Sequence, residues 1–230
     1  MQYAWIDGRR RPPLAKKERT TCRDCGGQLF AVMPIENAPH WRHRSGDCDP
    51  WTEPEGDWHL AWKEFFDLSC REIALRDPGT GELHRADLLV GRDTPQATVL
   101  ELQHSPISEE ERNAREAFYS REHRMFWLVN IHDEHSFLAW RFGMSLDFKS
   151  RPVDVDGRQF AVMRWVGPNK QFIEKWKRAK AHVFFHAGKM IYYLAGPATA
   201  ARIGTPLERG EFALTPLTVD EFLKAVRWED

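Results

Sequence analysis

The run HRADLLVGRDTPQATVLELQ, residues 84–103, decides how this chain is expected to fold. Two blocks of strand-forming residues, HRADLLV (84–90) and ATVLELQ (97–103), flank the turn signal GRDTP. With the turn centred on Thr94, Asp87 stands opposite Glu101 and Arg85 opposite Gln103. All four share one face, because side chains alternate along a strand. Ala86, Leu88, Leu100 and Leu102 take the other face and pack. Opposed carboxylates on a largely apolar ribbon repel, so a cation belongs between them. A hard divalent ion with oxygen ligands, such as Mg2+, suits that place.

Working outward, REIALR (71–76) reads as a preceding strand, set off by the turn signal DPGTGE. Before it, the spacing of Trp58, Trp62, Phe65 and Ser69 predicts a helix from Pro54 to about Cys70, with Pro54 in its first turn and acids crowding its start. Glu55, His59 and Lys63 recur at i, i+4, i+8 along one side of that helix; a histidine in such a row favours a functional face over a merely solvated one. Downstream, Ser108 and Glu111 predict a capping box opening a helix to about Arg121, and MFWLVNI (125–131) reads as a buried strand. The second helix offers Arg112, Arg115 and Tyr119 at i, i+3, i+7, among four glutamates that favour a solvated face. The order is α-β-β-β-α-β. Beyond Ile131, strand-like pieces lie near 137–142, 159–166, 190–195 and 211–216. A basic helix is expected over 170–181, and a last one is capped by Thr218 and Glu221.

The cysteines carry a second message. Cys22 and Cys25 form C-x2-C within TTCRDCGG, His40 and His43 follow as H-x2-H, and Cys48 comes next. This spacing reads as a zinc knuckle, zinc taking four soft or borderline ligands in a tetrahedron. Five candidates compete for four places: Cys22, Cys25, His43 and Cys48 are the preferred set, with His40 as substitute. Cys70, alone in LSCREI, reads as a small buried hydrophobe.

With 42% hydrophobic residues, ten Trp and fourteen Phe in 230 residues, the chain can bury a core, which argues against disorder. No apolar run approaches the roughly 18 residues of a membrane helix, and the start lacks the order of a secretory signal. The expectation is a cytoplasmic protein without a membrane partner. A net charge of −1 announces no nucleic-acid partner by itself. Charge is local instead: residues 1–25 hold seven basic against three acidic residues, whereas 47–57 is acidic. No HExxH motif or phosphate-cradling glycine loop is present, so a metalloprotease or a nucleotide-dependent phosphotransferase is disfavoured.

Asp87, followed after thirteen residues by Glu101-Leu102-Gln103, resembles the PD-(D/E)XK nuclease signature. Within that superfamily the chain resembles the competence protein CoiA-like family, on a C-x2-C followed by HWRH, the helix EGDWHLAWK, the strand HRADLL, the strand end ELQHSPIS, and REAFY leading to MFWLV. The resemblance spans about residues 20–131. It implies an α/β (α+β) chain: a zinc-binding module over 1–50, a restriction-endonuclease-like core over 51–132, and a C-terminal α+β region over 133–230 of unassigned role. It implies a nuclease that hydrolyses phosphodiester bonds, most simply of DNA, with Mg2+ (or Mn2+) on Asp87, Glu101 and the Leu102 carbonyl and zinc as a structural ion. Gln103 stands where the superfamily has lysine, so Lys63 would supply the missing charge. His59 would orient or deprotonate the water, Glu55 would join the metal shell, and Arg85, Arg115 and Tyr119 would contact substrate. The Gln103 departure also supports an alternative, a catalytically inactive nucleic-acid-binding or scaffold module acting with a partner. Residues 133–230 are where a protein partner or second copy would dock.

Overall fold

The computed structural model describes residues 1–51, 55–131, 142–143, 152–164, 170–203, 207–208 and 210–229. The chain is a mixed α+β protein that divides into two units, Met1–Arg92 and Asp93–Asp230. Among the described residues no helix is long and apolar enough to cross a membrane. The strand pieces expected near 137–142 and the Pro54 helix start lie outside the described residues or at their margin.

The first unit begins with a hairpin of β1 (Ala4–Ile6) and β2 (Arg9–Arg11), closed by Asp7 and Gly8 at φ 49° and 75°. Two left-handed residues are what a two-residue turn matching strand twist requires. An antiparallel sheet follows, ordered β3 (Arg19–Thr21), β4 (Gln28–Val32), β5 (His40–His43). Ala4, Cys22, Leu29 and Trp41 form a small core beneath it. These strands of three to five residues are too short to leave a periodic signal.

Helix α1 covers Asp57–Glu64 only, not the longer span to Cys70. The chain leaves the helix after Phe65 and makes a single 3-10 turn at Leu68–Cys70. The last turn tightens, the Phe65 and Phe66 amides donating to the Trp62 and Lys63 carbonyls, and the freed Phe66 carbonyl accepts from the Arg71 guanidinium at 2.9 and 2.8 Å. Cys70 ends half-buried, not deep in a core. Strand β6 (Arg71–Arg76) then pairs antiparallel with β7 (Leu83–Val90). Arg71 faces Leu88 and Ile73 faces Ala86, which leaves Glu72 across from Asp87.

The second unit runs β8 (Thr98–Gln103), α2 (Glu109–Tyr119), β9 (Arg124–Asn130), β10 (Pro152–Val155), β11 (Arg158–Arg164), α3 (Lys170–Lys177), β12 (His182–Ala187), β13 (Met190–Leu194), α4 (Pro197–Arg202), β14 (Glu211–Leu217) and α5 (Val219–Arg227). Its strands are ordered β10-β11-β14-β13-β12-β9-β8; β8, β9 and β12 are parallel, the remainder antiparallel. Phe126 and Phe184 face α5 through Phe222, while Trp127 and Phe185 meet Trp176 and Phe172 on the opposite face. Cover on both faces is why MFWLVNI reads as an unbroken apolar run and not as an alternating one.

Both expected helix starts are present. Thr218 and Glu221 form a complete capping box. Ser108 makes half of one: its Oγ accepts from the Glu111 amide at 3.0 Å, while the Glu111 carboxylate turns to Arg115. The basic helix ends at Lys177; Lys175 donates to the Ile107 carbonyl, and Arg178 just beyond it pairs with Glu109.

Candidate functional site

The thiol cluster arises from the turn between β3 and β4. The Cys22 amide donates to the Gly27 carbonyl and the Gly26 amide to the Cys22 carbonyl, so the chain doubles back and brings both cysteines to one side. Gly26 holds φ +73°, and a Cβ on Gly27 would lie 3.2 Å from both Cys25 Sγ and His43 Cδ2. Gly26 thus holds the left-handed backbone that glycine adopts freely, and a side chain at Gly27 would crowd two of the cluster's residues. The ligand atoms of Cys22, Cys25, His43 and Cys48 all lie within 4.8 Å of one another. A zinc tetrahedron with bonds of about 2.0–2.3 Å spaces its ligand atoms about 3.3–3.8 Å apart, so little contraction is needed. His43 Nε2 lies 3.3 Å from Cys25 Sγ, while its Nδ1 lies 3.1 Å from Asp47 Oδ1. A carboxylate on the far nitrogen fixes the tautomer that offers Nε2 to a metal.

His40 does not join. It is three residues from His43 on the same strand, hence on the opposite face, and its Nδ1 meets the Ala38 carbonyl instead. Without an ion, burial pushes the Cys48 thiol up to about 12 and raises Cys22 as well. The four residues are chemically compatible with structural zinc, which would bind with release of thiol protons. Arg85 lies beside this cluster: its guanidinium pairs with Asp24 and lies 3.8 Å from Cys48 Sγ.

A second cluster surrounds Lys63, which is completely buried. Its Nζ lies 2.9 Å from Glu55 Oε1, 3.3 Å from Glu72 Oε1 and 3.4 Å from Asp87 Oδ1. His59, one turn ahead of Lys63 on α1, is also buried. Helix α1 therefore turns its Glu55-side polar row inward together with Trp62. The sequence reading did not single out Glu72. The signal was available in the strand pattern, since an antiparallel β6–β7 hairpin places Glu72 against Asp87, but its left-handed φ of 48° was not legible. The amides of Gln2 and Tyr3 donate to the Glu72 carboxylate at 2.8–3.2 Å and hold it in place.

The electrostatics separate the three carboxyls. Burial, then the charge of Glu72, raises Glu55 to about 8, although Lys63 opposes this. Burial also works against ionised Glu72, but Lys63, a hydrogen bond from Glu55 and the Gln2 amide outweigh it and hold Glu72 far below the usual range. Lys63 loses solvation on burial, and the charges of Glu72, Asp87 and Glu55 more than compensate, keeping it charged. Burial and Glu72 thus favour the protonated form of Glu55, while Asp87 is the partly exposed carboxyl at the cluster's edge.

In the second unit Glu101 is buried and accepts from Arg115 at 3.0 Å, and Arg115 also binds Glu111. Gln103 donates its amide to the Ser105 carbonyl at 2.8 Å. Leu102 is buried on β8, and Tyr119 is buried against Phe118. Comparison with family models, curated proteins and solved structures gives no match for this chain.

Proposed function

We propose that this chain is a metal-dependent nuclease of the PD-(D/E)XK type, similar to the CoiA-like family, that hydrolyses phosphodiester bonds of DNA. The observation that carries this reading is the Lys63 cluster: a fully buried lysine among Glu55, Glu72 and Asp87. Burying Lys63 and Glu72 beside two half-buried carboxyls is a poor way to stabilise a fold, because desolvation offsets most of the Coulombic gain. Perturbed groups packed together in this way mark functional sites.

In this reading Asp87 presents the carboxylate for a divalent ion, and Glu101 is the second carboxylate that the sequence assigns to it. The ion, when bound, polarises a phosphate oxygen and lowers the pKa of its water. Lys63 supplies the cation that Gln103 lacks, offsetting the negative charge that grows on the nonbridging oxygens. His59 orients the attacking water or accepts its proton. Glu55, protonated near neutrality, has a proton to give when a second positive charge arrives. The Cys22–Cys25–His43–Cys48 set holds zinc and fixes the loop next to β7.

The second reading is an inactive nucleic-acid-binding module, favoured by one observation: Lys63 and Arg115 already neutralise these carboxylates. Labelled single- and double-stranded DNA, incubated with Mg2+ or Mn2+, separates the two. The nuclease cuts, and Asp87→Asn abolishes both cutting and Mg2+-induced thermal stabilisation. Binding without cutting on every substrate rejects the enzyme.

A further inference from the structure

A cavity of about 520 Å3 opens in the first unit between the β1–β2 hairpin and β6. That size falls within the roughly 300–1,000 Å3 of ligand clefts. Its wall includes Trp5, Arg10, Arg23, Arg85, Arg92 and Glu72. The arginines are not equivalent. Arg10 is committed to the carbonyls of Leu68 and Glu72, and Arg85 to Asp24. Arg23 and Arg92 are exposed, and among the described residues no carboxylate pairs with either. Trp5 is 38% exposed, and the Arg23 guanidinium lies 3.9 Å from its ring centroid. The cavity thus offers an accessible indole, two cations available for an anion, and a wall residue, Glu72, that also contacts Lys63.

An aromatic plane beside uncommitted guanidinium groups fits a nucleobase with its phosphate. The base must be unpaired, because bases inside a duplex already have both faces stacked. We propose that this cavity is a docking subsite for an unpaired nucleotide, with Trp5 stacking on the base and Arg23 and Arg92 receiving the phosphate. The proposal rests on the nuclease reading for its purpose: the subsite leads a single strand, or the frayed end of a duplex, along Glu72 toward Lys63 and Asp87.

The test is direct binding, measured by fluorescence anisotropy with the full-length chain as purified and no added Mg2+, so that cleavage does not intervene. The probes are a short labelled single strand, an abasic strand of equal length, and a blunt duplex. Trp5→Ala and Arg23→Glu should each weaken single-strand binding about tenfold or more. Trp5→Phe should retain most of the affinity, and duplex binding should change less than about twofold in Trp5→Ala. The abasic strand should bind wild type about as weakly as the normal strand binds Trp5→Ala. Circular dichroism and melting of each variant establish that the hairpin is intact; Arg23, outside the hairpin, provides the second handle. Unchanged single-strand affinity in folded Trp5→Ala overturns the subsite, as does an equal loss on duplex. Failure of the two readings is distinguishable. Trp5-dependent binding with no cleavage of any substrate keeps the subsite and rejects the enzyme. Asp87-dependent cleavage with Trp5-independent binding does the reverse.

Discussion

The first unit contains two clusters of ionisable side chains, each with buried members, and they handle burial in opposite ways. Cys22, Cys25, His43 and Cys48 bring together four donors around a space that no side-chain cation fills, Arg85 touching only the Cys48 edge. Glu55, Glu72 and Asp87 surround a cation that the chain itself provides, Lys63. The thiol cluster is compatible with a metal ion, and burial favours the protonated form of its Cys48 and Cys22 thiols. The carboxylate cluster already holds a cation of the chain's own. Under the proposed function, metal is a structural requirement at the first cluster and a reactant's partner at the second.

The largest effect that can break this contrast is at the thiols. Structural zinc contributes about 10–16 kcal/mol of apparent binding free energy in small sites. Elemental analysis should find one zinc per chain, and Cys22→Ser or strong chelation should abolish it. The β3–β4–β5 sheet should then open, seen as new proteolytic cuts within residues 19–48, because its core of Ala4, Leu29 and Trp41 is small. His40→Ala should leave zinc content unchanged. Metal-free protein with full protection would place both clusters in the same class.

How much of this was legible in the sequence follows from the range of each interaction. Local signals were read well: Thr218 and Glu221 cap α5 as expected, and REIALR spans β6 because turn residues bound it on the downstream side. The four thiol-site ligands were legible from spacing, and strand alternation explains why His43 enters and His40 does not. The end of α1 was not legible, since the apolar spacing runs on past the point where the last turn tightens at Phe65 and Phe66. Glu72 was missed for a related reason. Its role depends on the β6–β7 register and on amides from Gln2 and Tyr3, some seventy residues away in sequence. Strand β12 also went unread: its parallel pairing with β9 is a long-range choice.

The second effect in size tests whether the carboxylate cluster is closed by Lys63. Lys63→Met preserves length and removes the charge, leaving Glu72 and Asp87 buried or half-buried without compensation. Breaking a buried pair from one side costs about 3–5 kcal/mol, so urea unfolding should show a loss of that order. Added Mg2+ should recover part of it, because a divalent ion can take the place of the missing cation. A variant as stable as wild type, with no response to Mg2+, would show that Lys63 does not hold the cluster together.

The smallest effect sharpens the contrast through pH. Glu55 has a folded pKa of about 8, above its ordinary value near 4.5. Between those values the folded chain retains a proton that the unfolded chain has lost, so stability falls as pH rises across this window. Glu72, held far below its ordinary value, acts in the opposite sense: its contribution is present above about pH 4.5 and is lost only in acid. Together the pair gives greatest stability near pH 4.5–5 and a decline toward pH 8, with an upper bound of about 1.4 kcal/mol per pH unit for the single proton. Glu55→Gln cannot titrate and keeps the hydrogen bond to Glu72, so its melting temperature should stay flatter than that of wild type between pH 5 and 8. The thiol cluster, with zinc bound, contributes the same background to both proteins in that range. Parallel wild-type and Glu55→Gln profiles would mean that Glu55 ionises freely, and that the cluster holds no shared proton to release when a metal arrives.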